Sequence, residues 1–144
     1  MKTYHLGINL GHDRSVAIIS EGEIKVAIQQ ERLDRSKHSL GYLHQFIGDN
    51  KKIQLPWEAI NYCLRELNIN ISDLSSITAN MPGEDYSEEI LKKTLPKNIA
   101  DKVKVIPSHH LSHAYSAYWP SGFDKSIVIS IDATGSAINN RTES

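Results

Sequence analysis

Residues 4–30 carry three strand patterns separated by turns too short to hold a helix, and this constrains the fold more than any other feature. Residues 4–10 read as a first strand. Gly11-His12-Asp13-Arg14 follows as a tight turn, rich in residues that tolerate unusual backbone angles. Ser15-Val16-Ala17-Ile18-Ile19-Ser20 reads as a second strand, and Glu21-Gly22 as the hairpin turn after it. Ile24, Val26 and Ile28 then alternate with polar neighbours, which makes residues 23–30 a third strand. Such a meander has an apolar face that must be covered from elsewhere in the chain.

Residues 31–53 are polar and irregular, and 31–38 are dense in charge. Helix signals return at Pro56, suited to a first helical position. Trp57, Ile60, Leu64 and Leu67 recur at helical spacing, with Cys63 on the same side as a packed thiol, since nothing basic is fixed beside it. A short strand is expected at 76–79. Asp85 and Glu88 have capping-box spacing before a helix at 86–94, which Pro96 ends. A strand at 102–106 leads to a helix from Ser108, broken at Pro120-Ser121-Gly122, and an apolar strand at 126–132 follows. A meander followed by helix–strand alternation predicts an α/β fold, a mixed sheet with helices on its faces. This is the order of a ribonuclease H-like core. Ser130-Ile131-Asp132, a small turn and Ser136-Ala137-Ile138 echo Gly7-Ile8-Asn9, its turn and Ser15-Val16-Ala17. The expectation is a first lobe at 1–124 and the truncated start of a second lobe at 125–144.

A chain of 144 residues has room for one domain with a real core. Its formal net charge of −1, without a long basic run, gives no electrostatic case for nucleic acid or an anionic membrane as main partner. No apolar run reaches membrane-spanning length, the N-terminus lacks a secretory apolar region, and the single Cys63 excludes an internal disulfide. Together these predict a cytoplasmic protein.

The densest chemistry lies in His109-His110-Leu111-Ser112-His113. With Ser108 as N-cap, His109 and His113 fall one turn apart on one helix face, a spacing that can grip a metal ion. The plain alternative is a histidine pair without a ligand. Asp132, at the end of the apolar 127–131 run, is the natural third ligand, or else a carboxylate capping a turn. Two imidazoles and a carboxylate suit iron(II) or zinc, and spacing does not choose between them. His110 lies about 100° around the helix and should not share that face. Tyr115, Tyr118 and Trp119 read as packing at the helix end.

Several motifs, in order, resemble one family. They are Gly7-Ile8-Asn9 with Gly11-His12-Asp13-Arg14-Ser15-Val16-Ala17, Gln29-Gln30-Glu31-Arg32 running to Lys37-His38, His109-His110-Leu111-Ser112-His113-Ala114, and Phe123-Asp124 leading to Ile131-Asp132. Together they resemble the N-terminal part of the nodulation-protein and antibiotic O-carbamoyltransferase family. The resemblance covers essentially the whole chain. It implies an actin-like ATPase-type lobe pair and an adenylate-making domain. The latter makes carbamoyl-adenylate from carbamoyl phosphate and ATP, and the lobe pair passes the carbamoyl group to a hydroxyl of a sugar or antibiotic. It also implies a divalent metal, usually iron, between the lobes, with His109, His113 and Asp132 matching its ligands. His12 matches a histidine at the reaction centre and is read as general base toward the acceptor hydroxyl, or else as a turn residue. Arg32, Arg35 and Lys37, with His38 beside them, are read as a phosphate clamp, or else as a solvated charged loop. His110 is read as a contact to substrate phosphate or to solvent.

The sequence departs from the family at Arg14, where a small residue is typical, and at Asn9, where related ATPases often carry Asp. The last metal aspartate, the nucleotide-binding glycines and the adenylate-making domain are expected beyond residue 144. The partners expected are therefore carbamoyl-adenylate and a hydroxyl acceptor, with a completing chain or a second copy supplying what is missing. The chain alone is expected to be inactive. One other reading is a non-catalytic assembly module or remnant. Another is a sugar kinase-like ATPase, against which the histidine helix argues.

Overall fold

The computed structural model describes residues 2–39, 55–80, 88–106, 108–132, 137–138 and 141–142. Strands β1 (Tyr4–Asn9), β2 (Ser15–Ser20) and β3 (Glu23–Gln29) form the expected meander. Glu21 and Gly22 both take positive φ, 55° and 78°, the backbone that a two-residue hairpin turn demands. Strands β4 (Leu74–Asn80) and β5 (Val103–Ile106) then join the other side of β1. The sheet order is β3-β2-β1-β4-β5. The meander pairs are antiparallel, while β1–β4 and β4–β5 are parallel. This mixed α/β sheet has the strand order of a ribonuclease H-like lobe.

Alternation decides which face is buried. Leu6 and Ile8 of β1, Val16 and Ile18 of β2, Ile77 and Ala79 of β4 and Val103 of β5 share one buried cluster. Helix α2 (Trp57–Glu66) contributes Ala59, Ile60, Cys63 and Leu64 to that cluster, and Leu91, Leu95 and Ile99 complete it from the β4–β5 crossover. Burial, helped by the Glu66 charge, pushes the Cys63 thiol up to about 11, so it is a packing group and not a nucleophile.

Helix α2 starts at Pro56, which has no side chain to cap it. The cap comes from the meander instead. Gln30, 5% exposed, accepts from the Ala59 amide at 3.0 Å and donates to Glu58 at 2.8 Å. Its own amide donates to the Arg14 carbonyl at 2.8 Å. One side chain thus joins the end of β3, the first turn and α2.

The charged stretch after β3 is more ordered than its composition suggests. Glu31–Asp34 form a helical turn, α1, and Lys37–Ser39 a 3-10 turn. Pro96 ends α3 (Glu88–Thr94) as expected, but a further turn, α4 (Lys97–Ala100), starts at once. The Asp85 half of the expected capping box and residues 40–54 lie outside the described residues. The strand expected at 126–132 is corrected: these residues form neither strand nor helix. A strand needs a neighbour for its backbone groups, and among the described residues none pairs with this run. Ile127 and Ile131 are each 91% exposed. Beyond them, Ala137–Ile138 and Arg141–Thr142 make a short antiparallel pair, β6 and β7.

Replacing Gln30 with Ala leaves the Ala59 amide without its acceptor. The expected loss is about 1–2 kcal/mol of unfolding free energy, read by urea denaturation. An unchanged midpoint would show that the cap is dispensable.

Candidate functional site at the carboxyl edge of the sheet

Parallel pairing brings separated segments to one edge. Asn9, Asn80 and Ile106 stand in register at the carboxyl ends of β1, β4 and β5. Strand β3 runs the same way as β1, because both are antiparallel to β2. The turn after β1, the loop after β3 and the histidine helix after β5 therefore all leave the same edge. Ligand sites of open α/β sheets gather there. The turn after β1 and the helix after β5 start two strand spacings apart, about 10 Å.

Helix α5 (His109–Tyr118) is capped as expected: Ser108 Oγ accepts from the Leu111 amide at 2.9 Å. Its first turn brings the His109 and His113 rings together, with Nε2 atoms 3.1 Å apart. Asp132 Oδ2 lies 2.8 Å from His109 Nε2 and 3.3 Å from His113 Nε2. The three candidate ligands thus form a near-equilateral triangle. For ligand bonds of about 2.1 Å, neighbouring donors stand about 3.0 Å apart in an octahedral shell and about 3.4 Å apart in a tetrahedral one. The triangle has the dimensions of one face of such a shell, so these residues fit a divalent ion. His110 does not join it; its ring centre is 6.3 Å from that of His109, against 4.5 Å for His113.

The turn after β1 is folded by Asn9. Its amide donates to the His12 and Asp13 carbonyls, each at 3.1 Å, and its oxygen accepts from the Gly11 amide at 3.1 Å. A carboxylate could accept but not donate, which gives Asn9 a structural reason to replace Asp. Asp13 takes left-handed backbone, φ 59°, and its amide donates to the His38 carbonyl at 2.7 Å. Asp13 also holds two rings. His12 Nδ1 is 2.6 Å from Oδ2, and His38 Nδ1 is 2.9 Å from Oδ1. The hydrogen bonds from His12 and then His38 hold the Asp13 carboxyl below its usual range.

Arg14 is 7% exposed and is no phosphate ligand. Its guanidinium donates to the Ser39 carbonyl at 2.9 Å and to Ser39 Oγ at 2.8 Å, and pairs with Asp34 at 3.8 Å. Burial lowers its pKa, against the charges of Asp34 and Glu58. Arg14 therefore ties the 34–39 loop to the first turn, and this loop carries His38 to Asp13. Arg32, in α1, and Arg35 and Lys37, on that loop, are exposed. Arg32 lies 3.9 Å from Glu31 and lines an open cleft of about 510 Å³ with Asn9, Ser15, Ala17 and Gln29.

The structure thus gathers His109, His113 and Asp132 into one cluster and places His12 and His38 on Asp13. It leaves His110 beside the first cluster, and Arg32, Arg35 and Lys37 at the loop surface. Sequence reasoning missed Asp13, whose signal was a carboxylate directly after the candidate base. It also missed the anchoring role of Arg14, which nothing local announces. Arg14→Met should free the 34–39 loop and cost about 2 kcal/mol, with faster amide exchange at residues 36–39. Unchanged exchange would show that the loop holds itself.

No family model matches the chain. An uncharacterised protein of Synechocystis is 28% identical over 171 positions, covering 92% of this chain and 26% of that protein. Nodulation protein NolNO of Sinorhizobium fredii is 30% identical over 148 positions, covering 86% of this chain and 20% of that protein. An uncharacterised protein of Methanocaldococcus jannaschii is 28% identical, covering 93% of this chain and 23% of that protein. YeaZ from Pseudomonas aeruginosa aligns with a TM-score of 0.49 and 16% identity, over 79% of this chain and 49% of YeaZ. No helix among the described residues is long and apolar enough to cross a membrane. The chain spans only 20–26% of the length of these curated relatives. Along most of its own length it is similar to a nodulation protein, which bears out the resemblance carried by its motifs.

Proposed function

We propose that this chain is the metal-holding part of an O-carbamoyltransferase, moving a carbamoyl group from carbamoyl-adenylate to a hydroxyl of a sugar or antibiotic-like acceptor. The observation that carries the reading is the His109–His113–Asp132 triangle, set on a chain similar to a nodulation protein. His109, His113 and Asp132 would hold the ion, iron(II) or zinc. When bound, it supplies positive charge that orients the adenylate phosphate and offsets developing negative charge.

The chain's own residues supply the remainder. His12, 73% exposed at the carboxyl edge, takes the proton of the acceptor hydroxyl on its Nε2. The acceptor oxygen bonds to the carbamoyl carbon as the bond from that carbon to the adenylate oxygen breaks, and the phosphate leaves with the electron pair. Arg32, Arg35 and Lys37 bind that phosphate as exposed cations, with His110 as a further candidate contact to it. The adenylate itself is made from ATP and carbamoyl phosphate by parts of the enzyme outside these residues, so this chain alone is expected not to turn over.

Exposed Ile127, Ile129 and Ile131 favour a second reading, an assembly module paired with a completing chain or a second copy. One preparation separates the two. The purified chain should take up about one iron or zinc ion per molecule, and His109→Ala, His113→Ala should abolish uptake. Equal metal in both proteins would remove the site from this helix. No metal in either, with dimers by light scattering, would favour the assembly reading.

A further inference from the structure

Two groups of potential ligands occur among the described residues: the triangle above, and Asp13, Glu31 and His38, whose donor atoms lie within 4.8 Å of one another. The second group has another chemistry. Both Asp13 oxygens already face ring nitrogens, at 2.6 Å for His12 Nδ1 and 2.9 Å for His38 Nδ1. Glu31 Oε2 already accepts from the His38 amide at 2.9 Å. An ion here would have to take Glu31 Oε2 from a backbone amide.

We infer that Asp13 is the positioning residue of this edge, fixing His12 and His38 as paired Nδ1–H imidazoles that present Nε2 outward. A carboxylate accepts only, so each facing nitrogen must carry the hydrogen. The other nitrogen of each neutral ring then holds the lone pair. Two rings on one carboxylate stay within a few ångströms of each other. Both backbones are pinned as well. Asp13 and His38 sit in the left-handed region, φ 59° and 63°, joined by the Asp13 amide to the His38 carbonyl. Arg14 holds the far end of the loop through Ser39.

This inference rests on the reading of His12 as general base and deepens it. When Nε2 of His12 accepts the acceptor proton, the ring becomes imidazolium and its Nδ1–H remains on Asp13, which stabilises the charge formed. His38 then offers a second Nε2 on the same carboxylate, able to receive that proton by way of water. His38 is thereby assigned a proton-holding role.

The test is the tautomer, read on this chain by long-range proton–nitrogen correlation with ¹⁵N-histidine, at a pH where the rings are neutral. The wild-type chain should show His12 and His38 as Nδ1–H. In Asp13→Asn, which keeps a residue tolerant of left-handed backbone but offers one acceptor, at least one ring should revert to Nε2–H. In His38→Ala, His12 should remain Nδ1–H. Wild-type rings in the Nε2–H form, or tautomers unchanged in Asp13→Asn, would overturn the inference. So would loss of the His38 Nδ1 proton when stoichiometric zinc is added to the His109→Ala, His113→Ala chain, since that nitrogen cannot hold both. Metal uptake by the histidine helix is read separately, so either claim can fail without the other.

Discussion

The parallel pairing of β1 with β4 is the constraint on which the rest depends. It sets Asn9 beside Asn80, and β5 in turn sets Ile106 on the far side of Asn80. A turn near residue 12 and a helix that starts at residue 109 thereby leave one edge of one sheet. The Leu10 amide strengthens that edge by donating to Asn80 Oδ1 at 2.9 Å. The pairing is itself enforced by burial. A one-residue slip would turn Leu6, Ile8, Ile77 and Ala79 out of the core and bring His5, Gly7 and Asn9 into it.

Apolar packing places the sheet and α2, but polar side chains place the chemistry. Gln30 joins the meander to α2, and Arg14 joins the first turn to the loop after β3. Both are buried, and both bridge two segments through hydrogen bonds. These contacts have a steep asymmetry: each made bond adds about 1 kcal/mol, while a buried partner left alone costs more. They also restrict the loop to the arrangement in which His38 meets Asp13. The histidine helix is held differently. Its Ser108 cap sets its start, and none of its residues is fully buried. Its rings are organised by one another and by Asp132.

Much of this was legible in the sequence because the signals were local. Alternation in β1–β3, the Glu21–Gly22 turn, the Trp57–Leu64 stripe and the Ser108 cap each act over a few residues, and each lies where its pattern puts it. The four-residue spacing likewise brought His109 and His113 together. What failed was whatever depended on a distant neighbour. The 126–132 run has strand composition but no pairing partner among the described residues. The 31–39 segment looked irregular because its order comes from Arg14 and Asp13, not from its own propensities. Asp13 carried one local signal, its place directly after His12, but nothing in sequence ties it to a histidine 25 positions away.

The histidine helix and the His12 turn both leave the carboxyl edge of one sheet. A paramagnetic ion tests this directly: the chain is loaded with cobalt(II), and nuclear relaxation is compared with a zinc-loaded reference. Enhanced relaxation is expected at the His12 and His38 rings and at the Asn9 and Asn80 amides, with no effect at the β2–β3 hairpin around Glu21. Relaxation confined to α5, or centred on the hairpin, would contradict it.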